Sequence, residues 1–155
     1  MKCRFSYPTE FADVLECLRI QAIESAYQFA EDQSTDDINS ALDVWNNLKP
    51  RVVYVKDPPG VELFQTYYTL FYDNFHNIPG GGDCDCFVIS TLGAAMACGL
   101  RSNIVLAGRD KDTAVHIWSE VEGIPLDLTN PACGIVRKYP YIQRVNLYLP
   151  KNLIS

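Results

Sequence analysis

Imidazole is scarce in this chain. Its 155 residues include two histidines, His76 and His116, so any chemistry that needs an imidazole base has only two addresses. No apolar run approaches the roughly 18 residues of a membrane span. The opening Met-Lys-Cys-Arg-Phe-Ser-Tyr-Pro lacks the apolar core of a secretion signal. A cytoplasmic location and no membrane partner are therefore expected. Basic residues are outnumbered, 13 Lys and Arg against 19 Asp and Glu, and the net charge of −6 argues against a nucleic-acid partner, which would need a basic face. Repeats, low-complexity stretches and a composition break are also missing, so the chain reads as one domain over residues 1–155, with an N-terminal helical extension at about 9–31.

Paired C-x₂-C knuckles are absent too. The chain holds six cysteines, and without a signal they read as thiols rather than a disulfide framework. Cys84, Cys86, Cys133 and His116 together would be a weak zinc signature. Cys17 sits at a core-like helical position and Cys98 ends the central helix, and both read as small buried hydrophobes.

What the chain does have is Gly80-Gly81-Gly82-Asp83-Cys84-Asp85-Cys86, followed by Val88, Leu92, Ala95 and Met96 at helical spacing. This predicts a loop that turns into a buried helix, with Asp83 as N-cap and Cys84 in the first turn. Free backbone N–H groups and the positive end of the helix dipole at that place favour a thiolate. Cys86, two residues further on, points elsewhere and is expected to be chemically quiet.

Upstream, Thr9 can cap a helix over Glu10 to Ala30, striped by Phe11, Val14, Leu15, Leu18, Ala22 and Ala26. A second helix is predicted over Asp36 to Asn47, then a short strand at Val52–Val55. Phe64, Tyr67, Tyr68, Phe71, Tyr72 and Phe75 fit one face of a helix that would also line the approach to Cys84. Downstream, Gly99-Leu100 closes the central helix. Strands are predicted at Asn103–Gly108, Ala114–Val121, Ile124–Leu128 and Val145–Leu149, with a charged turn at Arg109–Asp112 and a tight hairpin at Glu122-Gly123. Helices first and a hairpin sheet afterwards give an α+β fold with an antiparallel sheet.

Strand alternation places His116, Trp118 and Glu120 on one face of Ala114–Val121. Across the hairpin, position 127 falls opposite 118 and diagonal to 116, so Asp127 can reach His116. A thiol at a helix N-terminus, an imidazole to take its proton and a carboxylate to orient the imidazole are the parts of nucleophilic catalysis. The Cys84 backbone N–H plus an upstream side chain, with Gln65, Asn74 and Asn77 as candidates, would form the oxyanion hole. His76 reads as an ordinary loop residue, and Trp118 as a wall beside the site.

Gly82-Asp83-Cys84-Asp85, then His116-Ile117-Trp118-Ser119-Glu120-Val121, then Pro125-Leu126-Asp127-Leu128-Thr129 resemble, in that order, the motif blocks of the transglutaminase-like cysteine-enzyme superfamily. The likeness extends over roughly residues 36–131. Within it, Val61-Glu62-Leu63-Phe64-Gln65-Thr66 is similar to a segment of compact bacteriophage-encoded versions. The resemblance implies a papain-like α+β fold. It also implies a peptidase or amidase that cleaves a protein or peptide amide through a thioester on Cys84, with His116 and Asp127 completing the triad. It brings no cofactor and no metal, and it adds other phage proteins or a virion as partners and packaging in a virion as a location. A non-catalytic virion-associated or protein-binding domain with the same fold is the alternative. The chain departs from the pattern in two places: Cys86 stands where many members carry a second aspartate, and the usual Asp-Pro is Asp127-Leu128, with Pro131 displaced.

Overall fold

A computed structural model of the chain describes residues 2–6, 11–110 and 113–146. The order of elements is β1 (Lys2–Ser6), α1 (Phe11–Asp32), α2 (Ala41–Leu48), β2 (Val53–Tyr54), β3 (Val61–Gln65), α3 (Tyr67–Tyr72), β4 (Gly81–Gly82), α4 (Cys84–Ala97), β5 (Ser102–Asp110), β6 (Thr113–Val121), β7 (Ile124–Leu126) and β8 (Tyr141–Val145). The fold is α+β. Its main sheet is antiparallel in the order β7-β6-β5-β8. Among the described residues, no helix is long and apolar enough to cross a membrane.

Helix α4 is the hub because it is apolar on every side, and every residue from Cys86 to Ala95 is buried. One flank meets α1 so closely that a Cβ on Gly93 would lie 2.7 Å from the Ser25 Cβ. The other meets the sheet, where alternation sorts the side chains. Ile104, Leu106 and Ile117 join Val88, Ile89 and Leu92 in the core on the α4 side. Val105, Ala107 and Trp118 face the other way and are covered by Val136 and Tyr139 from the irregular segment 127–140. The helix ends as expected. Gly99 is in the left-handed region at φ 72°, the Gly99 N–H donates to the Met96 carbonyl, and the Leu100 N–H donates to the Ala95 carbonyl.

Three local expectations are corrected. The aromatic run is not one helix: Val61–Gln65 is a strand paired antiparallel with β1, and α3 starts only after Thr66. Helix α2 begins at Ala41, not Asp36, because the Ser40 side chain accepts the Asp43 N–H and caps it there, while Thr35–Asp37 forms a single 3₁₀ turn. The last strand is Tyr141–Val145, earlier than read, since its partner β5 needs residues opposite Ile104–Gly108. Thr9, Glu10, Lys111, Asp112 and residues 147–149 lie outside the described residues.

Candidate active site

The glycine loop is a short strand with a tight floor. The Val53 N–H donates to the Gly80 carbonyl and the Val55 N–H to the Gly82 carbonyl, so β2 and β4 pair in parallel. This pairing sets Tyr54 beside the start of α4. Gly80 lies at φ 80°, and a Cβ there would collide with the Arg51 carbonyl oxygen. Asp83 caps α4 by accepting the Asp85 N–H at 3.2 Å, as the sequence predicted. Cys84 opens the helix, half-buried.

The imidazole and its carboxylate come from the hairpin. Glu122 and Gly123 both have positive φ, 50° and 76°, which is a type I′ turn. It pairs Val121 with Ile124 and Ser119 with Leu126. Asp127, the next residue, then reaches His116, whose Nε2 lies 2.6 Å from Asp127 Oδ2. The Thr129 N–H and hydroxyl donate to the other carboxylate oxygen at 3.0 and 2.6 Å. Burial alone would raise Asp127, but the His116 and Thr129 hydrogen bonds outweigh it and hold the carboxyl below its usual value. Trp118 braces the imidazole from 5.7 Å and stacks on Tyr139.

Strand β7 stops at Leu126, so β6 beyond Ser119 has no strand partner on that edge. The N-terminus of α4 fills the gap, and the Ile117 N–H donates toward the Cys84 sulfur. A β-bulge lies one step away: Ala107 pairs with His116 and Gly108 with Ala114, leaving Val115 as the extra residue. Cys84, His116 and Asp127 thus line one cleft of about 380 Å³. Tyr54, Val115, Thr129, Asn130, Arg137 and Tyr139 complete its lining. Among the described residues, no direct hydrogen bond joins Cys84 to His116.

The cleft is not walled as the sequence suggested. Phe64, Tyr67 and Phe71 are core residues. Tyr68 and Tyr72 donate to Glu31 and Asp32, away from the site. None of the three oxyanion candidates lines the cleft. The Gln65 and Asn74 amides both donate to the Gly81 carbonyl and hold the loop. Asn77 is a turn residue with φ 57°. Sequence reasoning missed Tyr54 and Arg137 as cleft residues; the only trace of Tyr54 was its place in the short predicted strand Val52–Val55. Burial, followed by the neighbouring Cys84 and Asp83, raises the Tyr54 phenol above the usual tyrosine value.

The thiol also departs from expectation. Burial raises Cys84 far above the usual cysteine value, and the Asp85 and Asp83 carboxylates push it in the same direction, against the Ile117 N–H. The helix N-terminus and the flanking Asp83 and Asp85 were visible in sequence; the burial of the thiol and the approach of Glu62 and Asp57 were not. Asp57, Glu62 and Asp83 bring carboxylate oxygens within 4.8 Å of one another. Burial and the neighbouring Asp57 push Asp83 up to about 8, and burial and Glu62 raise Asp85 as well. His76 stands beside this cluster, its Nε2 3.9 Å from Asp57, and is not part of the cleft. Cys86 is fully buried, donates to the Leu63 carbonyl at 3.2 Å and is raised by burial, in keeping with a quiet role. Cys84, Cys86, Cys133 and His116 do not converge among the described residues.

A carboxyl that keeps its proton in the fold, at a pH where the unfolded chain has lost it, costs stability. For Asp83 that window runs from about pH 4 to about 8. Asp83→Asn retains the cap and removes the cost. Thermal scans should show wild type and Asp83→Asn alike near pH 4, and the variant higher by about 5 °C or more at pH 8.

Comparisons with protein-family models, curated proteins and solved structures find no match to this chain.

Proposed function

We propose that this chain is a cysteine-dependent acyl-transfer enzyme of the transglutaminase-like, papain-like kind, acting as a peptidase or amidase on a protein or peptide amide. The observation that supports this best is that Cys84, at the start of α4, shares one cleft with an imidazole already paired to a carboxylate. Asp127 occupies His116 Nε2 and leaves Nδ1 free to serve the thiol.

Because Cys84 is raised, it rests as a neutral thiol. Its proton passes to His116 Nδ1 as sulfur attacks the carbonyl carbon. The oxyanion that forms takes hydrogen bonds from the Cys84 backbone N–H and the Tyr54 hydroxyl. His116 returns the proton to the departing amine, the C–N bond breaks, and a thioester remains on Cys84. Water then attacks the thioester, with His116 taking its proton, and the acid and free thiol are released. An amine in place of water would give transfer instead.

The raised thiol, with no direct bond to His116, favours the second reading, a protein-binding or virion-associated domain that keeps this fold without turnover. Timed alkylation with iodoacetamide near neutral pH, mapped by peptide mass, separates the two. An acyl-transfer enzyme labels at Cys84 at least about tenfold faster than at Cys98, a thiol raised to about 11 by burial and Asp43. His116→Gln removes that advantage, and Cys84→Ser removes all turnover. Equal labelling of Cys84, Cys98 and Cys133 selects the binding domain.

A further inference from the structure

The cleft holds one cation that the proposed chemistry does not use. Arg137, an exposed residue, is part of its lining. Most other arginines in the described residues are committed: Arg19 to Glu16, Arg101 to Glu122, Arg144 to Glu120, and Arg51 to Asn47 and Tyr67. Arg137 makes no hydrogen bond or ion pair among the described residues. This is unexpected in a chain with a net charge of −6, where acids outnumber bases. The one carboxylate in the cleft lining, Asp127, is taken by His116 and Thr129.

Its backbone is also held in place. Val136 on one side and Tyr139 on the other pack against Trp118. The Asn130 amide donates to the Ile135 carbonyl at 2.7 Å, and the Gly134 N–H donates to the Pro125 carbonyl at 3.0 Å. The backbone that carries Arg137 is therefore pinned, and the exposed side chain reaches the cleft from that strap. A guanidinium is a planar fork of donors that matches a carboxylate bidentately. The cleft is small, about 380 Å³, near the lower end of the roughly 300–1,000 Å³ of ligand clefts. It has room for about one residue on either side of a scissile amide.

We infer, resting on the acyl-transfer reading above, that Arg137 is a specificity residue that receives a carboxylate within one or two residues of the amide attacked by Cys84. The substrate class is then a peptide carrying an acidic group beside the scissile bond, either an Asp or Glu side chain or a free C-terminal carboxylate.

Iodoacetate and iodoacetamide test this, since they alkylate the same sulfur and differ by one negative charge. The readout is the ratio of their rates at Cys84, followed by peptide mass. Arg137→Gln should lower the iodoacetate-to-iodoacetamide ratio about fivefold, and Arg137→Lys should keep most of it. The wild-type ratio should fall as salt rises from about 0.02 to about 0.5 M. The ratio carries the test, since removing a cation beside the thiol also changes the rate with iodoacetamide alone. A second arm distinguishes the sources of the carboxylate. Acetyl-Ala-Ala with a free C-terminus and acetyl-Glu amide are each tested for slowing iodoacetamide at Cys84, with acetyl-Ala-Ala amide as the neutral control. The effective acid names the source, and its protection is lost in Arg137→Gln. A ratio that does not change in Arg137→Gln overturns this inference alone. A Cys84 unreactive to both reagents overturns the acyl-transfer reading and this inference with it.

Discussion

Asp127→Asn should slow acylation of Cys84 by about a thousandfold or more, with the fold intact. The reason lies in which oxygen is held by which donor. Thr129 fixes Asp127 Oδ1 with two donors, a backbone N–H and a hydroxyl. In the asparagine variant those donors select the amide oxygen, which turns the NH₂ group toward His116. Two donors cannot share one hydrogen bond, so Nε2 must become the acceptor and the ring proton must move to Nδ1. That is the nitrogen proposed to take the Cys84 proton, and it is then already occupied. A triad imidazole held in the wrong tautomer loses roughly three to four orders of magnitude in rate. The measurement is the burst of p-nitrophenol released when p-nitrophenyl acetate acylates the thiol, read beside a thermal scan. A variant within tenfold of wild type would exclude Asp127 as the orienting group. The scan adds a signed control. Asp127 is held below its usual value, so its contribution to stability is present above about pH 4 and fades as pH falls below it. The difference between wild type and Asp127→Asn should shrink in acid.

The second large effect is expected from a methyl group at the glycine loop. Gly80 and Gly99 both have positive φ, 80° and 72°. A Cβ on Gly99 meets nothing within 4 Å, whereas one on Gly80 runs into the Arg51 carbonyl oxygen. Gly99→Ala therefore carries only the conformational cost, about 1 kcal/mol, and should lower the melting temperature by about 3 °C. Gly80→Ala adds a backbone collision that no side-chain rotation relieves. The Gly80 N–H donates to Leu70, and its carbonyl accepts from Val53, so moving the loop breaks further bonds. A total of about 4 kcal/mol and a drop of about 10 °C are expected. The same displacement pulls β2 and Tyr54 off the start of α4, so acylation should fall in Gly80→Ala and hold in Gly99→Ala. Equal melting points for the two variants would count against this account.

The parts of this molecule that could be read from sequence are those whose causes are local. The Asp83 cap, the start of α4 at Cys84 and the Gly99-Leu100 ending follow from residue types within one turn of the chain. The meeting of His116 with Asp127 was legible for a similar reason: a two-residue turn with a Gly at its second position leaves little choice of register. What failed to show was set by distant neighbours. The aromatic spacing from Phe64 to Phe75 suits one helix, but pairing with Lys2–Ser6 makes Val61–Gln65, which carries Phe64, a strand. Tyr54 enters the cleft only because β2 lies along β4. The direction of the Cys84 shift is decided first by burial, with the adjoining Asp85 and Asp83 adding to it, and burial is not written in a helical pattern. Val136 and Tyr139, which close the far side of the sheet, carry no periodicity to announce them.

The two-residue turn at Glu122-Gly123 makes the site a matter of parity. One residue added to or removed from it would leave both strands and most of their hydrogen bonds, yet exchange odd positions for even along β7. Leu126 or Leu128 would then face His116, and the Asp127 carboxylate would be driven toward the apolar side against α4. A length change in that loop removes the pair while leaving both side chains intact, and homologous chains with a longer turn there should lack the dyad even where both residues persist.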